Sequence, residues 1–175
     1  MGSEMCIRDR WYTLFMNIFV LDQEPQLCAS FHCDRHVVKM ITEHMQMLHA
    51  NVKFLSKANG KIAWLNHPCT IWLRESRQNL DWLHSVQTHL NEEWQHRWNH
   101  APNINHRGYD LWRSFYDNKN MRNLFPDIPM TQFVQAMPDE CKRPNPVDGY
   151  RTYYNIHKKS FAKWKTETPF WYSPV

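Results

Sequence analysis

The chain has 175 residues, 42% hydrophobic and 14% aromatic with nine Trp, which excludes a disordered polypeptide and is enough for one domain with a real core. Four Gly against ten Pro argue against a β-rich fold of tight turns and against Gly-rich phosphate loops. A formal charge of +4, a pI near 8.8 and eleven His make a mildly basic protein, which permits a nucleic-acid partner without demanding one.

In chain order, MGSEMCIRDR resembles translated sequencing-adapter read-through at the ends of metagenomic gene predictions. We therefore expect residues 1–15 to be a non-native or disordered leader and residues 16–175 to form a single helical domain. Five Cys without a CxxC pair point to reduced thiols in a cytoplasm-like compartment. No apolar run approaches the ~20 residues of a membrane span, so no membrane partner is expected.

Ile18-Phe19-Val20-Leu21 is too short for a helix and reads as a buried extended segment or a short strand. Pro25 then opens a short helix to Phe31. A central helix is predicted from about Cys33 to Leu55, with Asp34 as its cap. On its wheel His32, His36, Lys39, Glu43 and Gln46 fall within roughly 80° of one another. Val37, Ile41, Met45, Leu48 and Val52 form an apolar stripe on the opposite side. A second long helix is predicted from Asn66-His67-Pro68 to about Trp98, and a short one over Tyr109–Asp117. The Pro-rich stretch 125–146 reads as irregular chain, lid-like or wrapped over the surface. A last helix is predicted from Asn145-Pro146 to about Lys165, followed by an aromatic tail at Pro169-Phe170-Trp171-Tyr172. The pattern is all-α, a single-domain irregular helical bundle with a short extended N-terminal segment.

Three patterns carry chemistry. In the polar row of the central helix, a carboxylate beside cations suits stabilisation of developing positive charge or base catalysis; Lys39 and Glu43 also form an ordinary i, i+4 surface pair. His32 and His36 at i, i+4 are able to chelate one ion, but HExxH is absent, and neither a bound metal nor a cofactor is expected. The basic aromatic C-terminus, with Lys158, Lys159, Lys163, Trp171 and Tyr172, suits phosphates and bases, and equally suits core aromatics with solvated Lys. Arg74 and Arg77 add further phosphate contacts. Cys69, after His67-Pro68, is a buried small residue or a thiolate at a helix start.

The run from Met16, the Asp34-x-His36 pair, Glu43 seven residues beyond His36, the long middle helix and the Pro169-Phe170-Trp171-Tyr172 tail together resemble the pyrimidine-dimer DNA glycosylases of the phage endonuclease V type. The run CDRHVVKM also resembles uncharacterised phage and marine bacterial proteins that begin MNIF. The chain differs from the glycosylases in its Pro-rich 118–146 insertion, in a longer spacing from Met16 to His36, and in Asn17 after Met16, where that family usually has Thr.

The resemblance implies a monomeric all-α enzyme of a bacterial or phage-infected cytoplasm that binds duplex DNA and extrudes a nucleotide. It implies a terminal amine, on Met16 or Asn17, that forms a Schiff base at C1′, with Glu43 stabilising the cation and His36 assisting. Arg35, His36, Lys39, Arg74 and Arg77 are the expected phosphate contacts. Two other readings stay open: a non-catalytic nucleic-acid- or protein-binding helical module, and a metal-dependent hydrolase using His32, His36 and Glu43.

Overall fold

The computed structural model describes residues 16–173, which form seven α-helices and no strand. The expected leader, residues 1–15, lies outside the described residues. Residues 16–21 run extended through the core rather than along a sheet. Met16, Ile18, Phe19, Val20 and Leu21 are all buried, so this apolar run is a thread around which helices close.

Helix α1 (Pro25–Phe31) starts with Pro in its first turn, and Glu24 caps it by accepting from the Leu27 N–H at 2.7 Å. Helix α2 (Asp34–Leu55) is the central element, packed against α3 (Pro68–Glu75), α4 (Arg77–Arg97) and α5 (Arg107–Tyr116). Val37, Met40, Ile41, Met47 and Leu48 are fully buried on it, each stabilising the fold by about 1.5–3 kcal/mol. The Asp34 cap is corrected: Cys33 is the N-cap residue and makes no side-chain cap bond. Asp34 sits in the first turn, where its Oδ1 accepts from Arg97 Nη1 at 3.1 Å and from the Lys165 N–H at 3.1 Å.

The predicted division of α2 into an apolar and a polar face is also corrected. His36, Glu43, His44 and Asn51 are buried along with the apolar stripe, whereas Arg35, Val38, Gln46 and His49 are exposed. The polar row is covered because the N-terminal thread and α7 (Pro146–His157) lie against it.

The second long helix is two helices. Ser76 breaks it in an extended conformation, φ −149° and ψ 142°, and becomes the N-cap of α4 by accepting from the Gln78 N–H at 3.0 Å. The Pro-rich segment fills the break: Arg77 N–H donates to Pro126 O at 2.7 Å and Ser76 Oγ to Ile128 O at 2.6 Å. Asn79 Nδ2 meets Trp72 O at 2.7 Å, satisfying a carbonyl at the end of α3.

A helix absent from the predictions, α6 (Lys119–Arg122), presents Arg122 to both oxygens of Asp81 at 2.8 Å. The Pro-rich stretch carries a 3₁₀ turn at Asp139–Cys141, and Gln135 closes its loop on Arg143 through two hydrogen bonds.

Helix α7 ends at His157, eight residues before the predicted end. The chain then turns to serve the start of α2. Lys163 O accepts from the Asp34 N–H at 2.8 Å, and Trp164 Nε1 donates to Phe31 O at 3.0 Å. A continued helix would leave the exposed first-turn donor of α2 without this partner. Among the described residues no helix is long and apolar enough to cross a membrane.

Candidate active site

Glu43 sits two turns into α2 beneath the N-terminal thread. Its residue exposure is 7%, and Lys39 Nζ pairs with Oε1 at 3.0 Å from one turn earlier. Burial raises the carboxyl pKa, while the Lys39 ammonium, the main-chain N–H of Asn17 and the more distant Lys158 ammonium oppose the rise. Among the described residues Oε2 has no hydrogen-bond partner. A buried carboxylate with one oxygen held and one uncommitted is equipped to accept a proton or to face a developing cation.

Asn17 is fixed beside it by its own side chain. Nδ2 donates to Ala136 O at 2.7 Å, and Oδ1 accepts from Ile18 N–H at 2.8 Å. The Tyr150 hydroxyl lies 3.0 Å from the same oxygen, and Cys69 Sγ lies 3.4 Å away. The thread is thereby tied to the Pro-rich stretch, α7 and α3 at once. Cys69 itself is fully buried and burial pushes its thiol up to about 12, so it holds the thread and is no thiolate.

His36 lies deeper. Its ring stacks on Phe19 at 4.5 Å and 17°, Nδ1 hydrogen-bonds the Tyr154 hydroxyl, and Phe161 meets it edge-on at 5.4 Å. Burial, followed by its neighbour His32 and then the positive charges of Lys158, Lys39 and Arg35, holds its pKa well below the ordinary value. A neutral ring 3% exposed is not placed to hold a surface phosphate; it positions Phe19 and the thread. His32 is likewise neutral, with its pKa near 4, and its Nδ1–H donates to Cys28 O at 2.7 Å.

Lys158, the residue that follows α7, is a second buried charge of the cluster. Its ammonium lies 3.1 Å from the Tyr153 hydroxyl, 4.3 Å from the Tyr153 ring centroid and 5.5 Å from that of Phe19. Burial and the Lys39 charge bring its pKa down to about 8. It does not face outward to phosphates; it adds positive charge near Glu43.

The remaining cations divide. Arg35, Lys159 and Lys163 are exposed and Lys39 is half-buried. Arg35 lies over the Phe161 ring at 5.0 Å, and Lys163 joins α2 at Asp34, so both border the N-terminal half of α2. Arg74 and Arg77 are not brought to this cluster. Arg74 Nη1 donates to Leu65 O at 2.7 Å, and Arg77 Nη1 pairs with Asp127 at 3.4 Å, so both hold loops. In the tail, Trp171 packs against Phe31 and Tyr154, and Tyr172 against Trp164 at 4.6 Å, both part-buried. Phe170 is the tail residue in the open, 84% exposed, with the Arg151 guanidinium 5.6 Å from its ring centroid. Its neighbours in sequence are also aromatic, and which of the three faces solvent is set by tertiary packing.

A family model described as pyrimidine dimer DNA glycosylase matches residues 16–106, just over half of the chain, including the thread, α1, α2 and α4. No curated protein and no solved structure matches the chain.

Proposed function

Because the chain belongs to the pyrimidine dimer DNA glycosylase family, we propose that it excises pyrimidine dimers from duplex DNA through a terminal-amine Schiff base, with Glu43 as its carboxylate. The observation that supports this reading is the Glu43 carboxylate, buried beneath the N-terminal thread and held by Lys39 Nζ at 3.0 Å on one oxygen. In a chain that begins at Met16, where the family match also begins, the free α-amine is that of Met16, or of Asn17 once Met16 is removed. Either nitrogen belongs to the thread that Asn17 rivets beside Glu43.

The neutral amine attacks C1′ of the damaged nucleotide, and the C1′–N bond breaks with its electron pair leaving on the base. Loss of the amine proton and opening of the sugar ring give the imine. Removal of a 2′ proton then expels the 3′ phosphate by β-elimination. Glu43, charged and poorly solvated, stabilises the cation at C1′ and accepts a proton in the later steps. Lys39 and Lys158 favour its ionised form and keep neighbouring amines neutral by charge repulsion. Arg35, Lys39, Lys159 and Lys163 meet backbone phosphates, and Phe170 stacks on an exposed base. The protein works as a monomer in a bacterial or phage-infected cytoplasm, where its DNA substrate is found.

Borohydride trapping on UV-irradiated duplex DNA tests this, using protein whose first residue is Met16. A covalent protein–DNA adduct that disappears in Glu43→Gln is expected. No adduct from the native protein, or an adduct unaffected by Glu43→Gln, overturns the mechanism.

A further inference from the structure

The Pro-rich stretch and the end of α7 bring together a second set of reactive groups, outside residues 16–106 and apart from Glu43. Glu140 and Cys141 lie on the 3₁₀ turn at Asp139–Cys141, and His157 is the last residue of α7. One carboxylate oxygen, the thiol sulfur and one imidazole nitrogen all lie within 4.8 Å of one another. His157 Nε2 is 3.2 Å from Glu140 Oε1, whereas Cys141 is fully buried beneath them. The turn is held in place by Lys142–Asp139 at 2.7 Å and by the Arg143 guanidinium on Glu140 O at 2.8 Å.

We propose that Glu140, Cys141 and His157 form a binding site for a divalent transition metal of the zinc class, with the fourth position open to solvent. The donor set is one thiolate, one imidazole and one carboxylate. Tetrahedral coordination with bonds of about 2.0–2.3 Å places such donors roughly 3.5 Å apart, so closing the present triangle takes a shift of about 1 Å. The two soft or borderline donors select against magnesium and calcium, which take all-oxygen sets. Glu140 and His157 are exposed, so the ion has an open approach and Cys141 becomes its inner ligand.

Binding exchanges the thiol proton for the metal–sulfur bond and releases that proton to solvent, with no change of oxidation state. The bound ion would join the Pro-rich insertion to α7 one residue before Lys158. It would thus brace the wall of the Glu43 cluster without entering the chemistry there. This inference is independent of the Schiff-base reading, because its readout is spectroscopic and needs no DNA.

The test is titration of the chelator-treated full chain with Co²⁺ alone. Expected are a saturable one-to-one thiolate-to-cobalt charge-transfer band in the near ultraviolet and tetrahedral bands in the visible. Zn²⁺ should bleach both, and Mg²⁺ should not. Cys141→Ser should abolish the near-ultraviolet band. His157→Gln, an exposed change that leaves the core untouched, should weaken Co²⁺ binding by about 10-fold or more. Absence of a saturable band in the native chain, a band that survives Cys141→Ser, or unchanged affinity in His157→Gln each overturns the assignment.

Discussion

Lys39 Nζ stands 3.0 Å from Glu43 Oε1, one turn apart on α2, yet the two differ in exposure: the Lys39 side chain is 42% exposed and that of Glu43 9%. The pair is therefore more than a surface ion pair. Burial pushes the Glu43 pKa up, and Lys39 is the group that chiefly pulls it back. Removing Lys39 leaves the carboxylate less compensated. Lys39→Met is expected to raise the Glu43 pKa further and to move the acidic limb of the activity profile to higher pH. A pH–rate profile on UV-damaged duplex checks this; an unmoved acidic limb contradicts it.

Glu43→Gln keeps the shape of the side chain and removes its charge. A loss of about 10²–10³ in rate is expected if the carboxylate faces the cation at C1′. The folded-state pKa of Glu43 is raised, so ionising it costs stability as pH rises through that pKa, and the neutral amide avoids the cost. The Tm at pH 7 should hold or rise while activity falls. A parallel fall in both would mean that Glu43 is structural.

Lys158→Met makes a related exchange. The lysine titrates near 8 instead of 10.5 because its ammonium is buried, so at pH 7 the folded state carries a desolvated charge. The apolar replacement is expected to raise stability by on the order of 1 kcal/mol and to reduce turnover, as observed when strained charges at working sites are removed. Denaturant unfolding and single-turnover kinetics on the same preparation measure the two effects.

Arg97 makes the opposite case. Its side chain is fully buried, and it donates to His32 O at 2.7 Å, Ser30 O at 2.8 Å, Glu93 Oε2 at 2.7 Å and Asp34 Oδ1 at 3.1 Å. It ties the end of α4 to the junction of α1 and α2. Truncation to Ala leaves two carboxylates and two carbonyls without their donor, with an expected loss of about 3–5 kcal/mol by denaturant titration.

Acid should unfold the protein through its buried histidines. His32 and His44 are fully buried and neutral, with pKa values lowered by burial to about 4 and about 3. Unfolded, each takes a proton near pH 6.5. Their stability contribution is complete above that value and declines as pH falls from about 6.5 to about 4 for His32 and to about 3 for His44. Each group costs about 1.4 kcal/mol per pH unit there. Circular dichroism at 222 nm should show a cooperative transition within that window, shifted to lower pH in His44→Gln.

Phe170→Ala should weaken DNA binding by about 1–3 kcal/mol without changing Tm, because the ring is 84% exposed and supports little of the fold. Fluorescence anisotropy on a duplex at fixed salt reads the affinity. Trp171→Ala, by contrast, removes a ring packed on Phe31 and Tyr154 and should lower Tm.

Much of this was legible in the sequence. The 3.6-residue rhythm of Val37, Ile41 and Leu48 specified the central helix, and Pro25 marked the start of α1. The spacing of Lys39 and Glu43 put them side by side, because neighbours one helical turn apart meet whatever the rest of the chain does. The family resemblance rested on such local patterns too.

What local pattern left undetermined was which helix faces are covered and where helices stop. The apolar rhythm breaks at Ser76 because distant carbonyls accept there: Ile128 O from Ser76 Oγ and Pro126 O from the Arg77 N–H. The last helix stops at His157 because the chain beyond it is drawn to the free end of α2. The polar row became a candidate active site only when the thread and α7 closed over it. Burial changes the energy of a charge far more than its neighbours in sequence do, and burial is a property of the packed whole.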